Sequence, residues 1–210
     1  MRNAVIGLLM ALTSATAAEA AVSVSIGINI PTYPRLVAVP GYPVYYAPTL
    51  NANYFFYDGL YWVFDGDQWL ASSWYNGPWR TVGPEFVPIY LWQVPVRYYR
   101  RPPAYFHGWR HDATPRWGEH WGRDWEARHG GWDRRDNHAR YAPAPLPSYQ
   151  RQYSGNRYPQ AEQQARLHSQ YYGYQPKEQA ARDHYQQQGI QPQARGEGNR
   201  GQHGERGRDR

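Results

Sequence analysis

Three carboxylates lie close together in one aromatic stretch: Asp58, Asp65 and Asp67. Carboxylates grouped this way can do general acid–base chemistry or ligate calcium. Asp58 and Asp65 are each followed by glycine. Asp-Gly is also what a tight hairpin turn demands on backbone grounds alone, because both central residues need positive φ. The turn is the reading adopted. A second group runs through residues 107–138: His107, His111, His120, His129 and His138, with Asp112, Glu119, Asp124 and Asp133. Imidazole and carboxylate are ordinary ligands for divalent metals. His107, His111, His120 and Asp124 form the candidate metal set. Glu119-His120 matches part of a zincin motif, but Asp124 stands where the second histidine is required. The segment is therefore read as a solvated polar face, with metal binding as the alternative. A third group is Trp117, Trp121 and Trp125, spaced i, i+4, i+8 with Arg116, Arg123 and Arg128 nearby. On a helix this spacing makes one stripe, which can stack on sugars or lie on a membrane surface. It can equally dock on a sheet and complete a core. Docking is favoured, since a helix containing Gly118 and Gly122 needs packing to persist. Trp117, Trp121, Trp125, Tyr61 and Arg123 are the candidate ligand-binding residues. No nucleophile–base or acid–base pair emerges, so an enzyme is not expected and no cofactor is implied.

These groups need a scaffold, and the aromatic stretch supplies it. Tyr57-Asp58-Gly59-Leu60-Tyr61-Trp62-Val63 is followed at once by Phe64-Asp65-Gly66-Asp67-Gln68-Trp69-Leu70. The shared pattern is aromatic-Asp-Gly-x-x-Trp-aliphatic, with a looser third copy at residues 75–79. It predicts a small antiparallel β-meander. Two-residue loops at Asp58-Gly59 and Asp65-Gly66 place Tyr57 opposite Leu60 and Phe64 opposite Asp67, which makes Trp62 and Trp69 a cross-strand pair. One face then carries Phe55, Tyr57, Leu60, Trp62, Phe64, Trp69 and Ala71. The other carries Tyr54, Phe56, Tyr61, Val63 and Leu70. Both faces are too apolar for water, so the second needs a cover. Residues 82–99, apolar and broken by Pro84, Pro88 and Pro95, are the expected cover, with a short helix over 85–93. Thr114-Pro115 predicts the start of a single Trp-striped helix that Gly130-Gly131 stops.

Upstream, β-branched residues alternate with small polar ones over 22–30, the pattern of a half-buried strand. Five prolines then confine residues 31–48 to an edge or an extended connector. Residues 1–20 read as a secretory signal peptide: a basic start, a short apolar run and Ala18-Glu19-Ala20 as an A-x-A cleavage site. No second hydrophobic segment follows, so no transmembrane segment is expected in the mature chain.

The totals agree with one small domain. All ten Trp and all five Phe lie between Phe55 and Trp132, and from Arg140 onward only Leu146, Leu167 and Ile190 are large aliphatics. Such a composition predicts a tail that cannot offset its ordering entropy. The expected division is a signal peptide over 1–20, a strand plus Pro-rich connector over 21–52, an aromatic β module with a Trp-striped helix over 53–132, and a disordered Gln/Arg/Gly-rich tail over 133–210. The fold class is mainly β, with one or two short helices. Zero cysteines exclude disulfides, thiolate metal sites, thiol nucleophiles and a lipoprotein anchor. The net charge of +6 comes almost wholly from arginine, which suits anionic partners.

The segments YDGLYWVFDG, ASSWYNGPW, VPVRYYR and PRWGEHWGRDW resemble an uncharacterised family of short exported proteobacterial proteins. The resemblance spans about residues 54–125. It implies an envelope location in a Gram-negative cell and no established activity. The expectation is a non-catalytic exported protein, periplasmic or else secreted or outer-membrane-associated. It would bind an anionic envelope polymer, peptidoglycan or another envelope protein through exposed aromatics and arginines. The alternative is a periplasmic metal-homeostasis or stress protein using residues 107–138. Nucleic acid is not an expected partner.

Overall fold

The computed structural model describes residues 27–134 and 142–191, and the backbone of residues 23–24. The expected signal peptide and the Gly/Arg-rich end from residue 192 lie outside the described residues. At the centre are four strands: β4 (Asn53–Tyr57), β5 (Leu60–Asp65), β6 (Gln68–Ser72) and β7 (Trp79–Val82). Short strands extend them on both sides: β1 (Ser23–Val24) on β7, and β3 (Tyr45–Tyr46) then β2 (Val37–Ala38) on β4. Among the described residues these form one antiparallel sheet in the order β1-β7-β6-β5-β4-β3-β2. The mainly β meander is as the sequence predicts. Among the described residues of the alternating stretch 22–30, Ser23–Val24 joins the ladder as β1, and Ile30 enters the core as its amide donates to Asn76 Oδ1 at 2.7 Å. The proline-punctuated segment does form the far edge, as β2 and β3.

The β4–β5 turn is as expected. Tyr57 faces Leu60, and Asp58 and Gly59 have φ of 49° and 86°. The β5–β6 turn is not. Its central residues are Gly66 and Asp67, with φ of 53° and 61°, and Asp65 pairs with Gln68. Phe64 therefore faces Trp69 with ring centroids 5.1 Å apart, and Trp62 faces Ala71. The expected Trp62–Trp69 pair does not form. The physical reason is Asp67. The expected register would place its carboxylate on the aromatic face beside Phe64. The observed one moves it into the loop, where aspartate tolerates left-handed backbone. Every partner shifts by two residues rather than one, so each side chain keeps its face.

Both faces are covered. Against Phe55, Tyr57, Leu60, Trp62, Phe64, Trp69 and Ala71 pack Leu91, Trp92, Tyr99, Phe106, Trp117 and Trp125. The segment 82–99 thus covers the first face, not the second as expected. It holds a 3-10 turn (Pro84–Phe86) and a short helix α1 (Ile89–Trp92), because Pro88 splits the expected 85–93 helix. The single Trp-striped helix is also split. Helix α2 (Trp117–Trp121) ends at Gly122, whose φ of 82° breaks the path before α3 (Arg123–Arg128).

The second face is covered by the N-terminal connector and by tail residues 144–174, while Ala181, Tyr185 and Ile190 further on join the first-face cluster. Tyr54, Phe56, Tyr61, Val63 and Leu70 pack with Ile30, Ala47, Ala144 and Tyr172, flanked by Tyr149, Tyr158 and Tyr174. This overturns the expectation of a tail without structure over residues 142–191. The chain there forms 3-10 turns at Ser148–Gln152 and Gly155–Arg157, then helices α4 (Ala161–Tyr171) and α5 (Gln179–Gln187). Counting aliphatics missed its means of attachment. Gln150 is fully buried yet uses every polar position. Its Oε1 accepts from Tyr61 Oη and the Tyr75 amide at 3.0 and 3.2 Å. Its Nε2 donates to Ser73 O and Tyr149 Oη at 2.9 and 3.0 Å. Satisfied buried polar groups of this kind hold a segment in place without aliphatic bulk.

The hairpin tip supplies a second attachment. Asp58, buried, accepts from the amides of Lys177 and Glu178, at 2.9 and 2.7 Å to Oδ2, and from Tyr174 Oη at 2.6 Å to Oδ1. Those amides immediately precede α5. Asp58 thus supplies, from a hairpin turn distant in sequence, the carboxylate that an N-cap side chain normally provides. Tyr57 Oη donates to Glu178 Oε1 at 2.6 Å beside it.

Candidate functional site

The candidate ligand-binding aromatics are mostly core. Tyr61, Trp117 and Trp125 are buried. Trp92 is the hub: its ring meets Trp69, Trp117 and Trp125 edge-on at 5.6, 4.9 and 5.3 Å, and Trp117 Nε1 donates to Trp92 O at 2.9 Å. Trp121 is half-buried and Arg123 exposed on α3. The stripe therefore faces inward, and binding by exposed indoles at Trp117 and Trp125 is corrected. Tyr61 is corrected likewise, its hydroxyl committed to Gln150.

The candidate metal ligands do not converge. His107, His111 and Asp124 are exposed, and among the described residues no group of three or more His, Asp or Glu side chains is placed to hold a metal ion. His120 is engaged elsewhere, and that engagement marks the candidate site.

At the β5–β6 tip, positive φ at Asp67 turns its carboxylate towards residues 104–120. Oδ1 accepts from Tyr105 Oη at 2.6 Å, and Oδ2 lies 3.2 Å from His120 Nε2. The Tyr105 and His120 rings stack at 3.6 Å, nearly parallel. Burial, followed by the Asp67 acceptor and its charge, pushes the Tyr105 hydroxyl well up, so it remains a proton donor. The other wall is fixed by buried Asn53. Its Nδ2 donates to Phe64 O and Arg101 O at 3.0 and 2.7 Å, and its Oδ1 accepts from the Arg101 amide at 2.8 Å. The Arg101 backbone is thereby clamped to β4 while residue 101 stays exposed. Between these walls lies an open cleft of about 430 Å³, floored by Phe64 and lined by Asp65, Asp67, Arg101, Pro103 and Tyr105.

Chemically the cleft offers two carboxylate acceptors, one guanidinium donor and one phenol. Asp67, read as a turn residue, turns out to be both turn and wall. Arg101 and Tyr105 escaped sequence reasoning because RRPPAYF read as a connector. The signal was present: Pro102-Pro103 makes that connector stiff enough to be a wall.

Comparison with protein-family models, curated proteins and solved structures finds no match to this chain. Among the described residues, no helix is long and apolar enough to cross a membrane.

Proposed function

We propose that the chain is an exported, non-catalytic envelope protein that binds a hydroxyl-rich envelope polymer, polysaccharide or peptidoglycan, in the cleft at the β5–β6 tip. The observation that carries this reading is that Asp65, Asp67 and Arg101 line one open cleft of about 430 Å³. Carboxylates accept from adjacent sugar hydroxyls, and a guanidinium pairs with an anionic substituent in a fixed fork. The sheet and its two covers act as the scaffold that holds these groups still. Export rests on residues 1–20 and on the resemblance of the aromatic segments to exported proteins. The test has two parts. N-terminal sequencing of the envelope fraction should begin at Ala21; a cytoplasmic chain beginning at Met1 defeats export. The mature protein should be retained by isolated sacculi or by an acidic polysaccharide. Retention should weaken about tenfold in Arg101→Gln and in Asp67→Asn, the loss of roughly one charge-assisted bond. Retention unchanged in both variants defeats the cleft.

A further inference from the structure

A second cleft lies between β7 and α5, and the proposed polymer site makes no use of it. Its volume is about 330 Å³, within the about 300–1,000 Å³ range of small-molecule sites. Three of its features point to one ligand chemistry. The first is a pair of opposite charges. Arg80 projects from β7 with Nη1 donating to Gln187 Oε1 at 2.9 Å, and Asp183 lines the facing helix. The second is an apolar wall of Val82, Ala180 and Phe86, the last 58% exposed. An exposed ring beside Val82 and Ala180 gives the cleft an apolar side on which a ligand side chain can lie. The third is His184. It lines the cleft, is 5% exposed, and its Nε2 has no hydrogen-bond partner in the chain. A buried polar nitrogen without a partner is costly unless something outside the chain satisfies it.

A cation, a carboxylate and an apolar wall in one small cleft match a zwitterion with an apolar side chain. We propose that this cleft binds a free α-amino acid carrying an aromatic or branched aliphatic side chain. The ligand carboxylate pairs with Arg80 and reaches the His184 imidazole. Its ammonium pairs with Asp183, and its side chain lies on Phe86 and Val82. A simple anion leaves Asp183 facing negative charge, and a simple amine leaves Arg80 facing positive charge, so both are disfavoured. Because α5 forms one wall, binding also favours the docked tail by mass action.

Isothermal titration of the full-length chain with L- and D-phenylalanine and L-leucine tests this, with phenylacetate, phenethylamine and glycine as controls. Phenylalanine or leucine should bind with a Kd below about 1 mM. Phenylacetate and phenethylamine should each bind about tenfold more weakly or worse. Arg80→Gln and Asp183→Asn, both at the rim and unneeded for the core, should each weaken amino-acid binding about tenfold. Circular dichroism should show both variants folded as the parent. The melting midpoint should rise with amino-acid concentration. The proposal is overturned if no amino acid in the panel binds, if binding survives both substitutions, or if phenylacetate binds as tightly as phenylalanine. Sacculus retention is read separately, so failure here leaves the polymer cleft unaffected.

Discussion

Acid should detach the tail from the sheet, and the size of the effect follows from two imidazoles. His168 on α4 is fully buried within a hydrogen-bonded chain. Gln150 Nε2 donates to Tyr149 Oη, which lies 3.0 Å from His168 Nδ1. His168 Nε2 lies 2.9 Å from Tyr185 Oη, which donates to Gly59 O at 3.1 Å. Counting protons along this chain assigns the neutral Nε2–H tautomer. A proton added at Nδ1 would displace that of Tyr149, leaving a buried hydroxyl hydrogen unpaired. Burial, then the neighbouring His184, lowers His168 to about 3. Burial, then Arg80, lowers His184 to about 3. The unfolded value is near 6.5. With folded values depressed, the unfolded chain binds more protons between pH 6.5 and 3, so stability is complete above 6.5 and falls as pH drops through that window. The slope is about 1.4 kcal/mol per pH unit for each imidazole, hence about 2 kcal/mol each at pH 5. Two such losses are a large share of the roughly 5–15 kcal/mol of a whole domain. Urea unfolding at pH 7.5, 6 and 5, followed by tryptophan fluorescence, measures this. Trp74 reports the tail directly, since its Nε1 donates to Gln164 O at 3.1 Å. His168→Gln/His184→Gln keeps every other titrating group and should flatten the pH dependence by about 3 kcal/mol per unit. Equal slopes in the parent and the double variant would refute the reasoning, as would a native imidazole resonance from either residue titrating near pH 6.5.

Gly59→Val should destabilise more than Gly66→Val. Both positions have positive φ, at a cost of roughly 1–2 kcal/mol, but a Cβ at Gly59 also comes within 2.6 Å of Tyr185 Oη while Gly66 faces open space. Melting midpoints decide the order, and equal shifts would contradict the docked α5. Trp92→Phe should abolish most exciton-coupled circular dichroism, because Trp92 meets Trp69, Trp117 and Trp125. Trp62→Phe should leave the couplet largely intact, and its loss would restore the Trp62–Trp69 register. Limited trypsin digestion should leave fragments that retain residues 142–188 bound to the sheet; a resistant core ending before Arg140 would show the tail undocked. Asp58→Ala removes the acceptor of two amides and a phenol and should cost about 1–3 kcal/mol, read from denaturant midpoints.

The sheet was legible because its signals are local. Asp-Gly turns and period-two aromatics fix the strands and the sorting of Phe55 to Ala71 between faces, and the structure keeps every one of those assignments. What failed was decided by contacts distant in sequence. The second turn moved by one residue because Asp67 cannot sit beside Phe64, a cost visible only once both strands share a face. Trp117 and Trp125 dock inward, the favoured of the two readings of the stripe, but Gly122 was weighed as a weak helix residue rather than as a break. The tail was misjudged because composition weighs aliphatic area, whereas Gln150 and Gln164 bury polar atoms that bond to Tyr61, Ser73 and Gly77, and His168 ties the tail's own tyrosines together. The candidate cleft was half legible: Asp65 and Asp67 were visible, while Arg101 and Tyr105 acquire a role only when Asn53 clamps the diproline segment beside them.

The distance along the chain between the sheet and its second cover bears on how the protein is made. Tyr61 Oη donates to Gln150 Oε1 at 3.0 Å across 89 residues, and Trp74 Nε1 donates to Gln164 O across 90. At about 5–20 residues per second of synthesis, each partner follows the other by roughly 4–18 s. Through that interval an aromatic surface stands open, with Tyr54, Phe56, Tyr61 and Leu70 facing whatever is nearby. Non-local closure of this kind is slow and exposes a chain to self-association. Truncated chains ending before α4 should therefore self-associate more readily than the full chain, which light scattering at matched concentration measures.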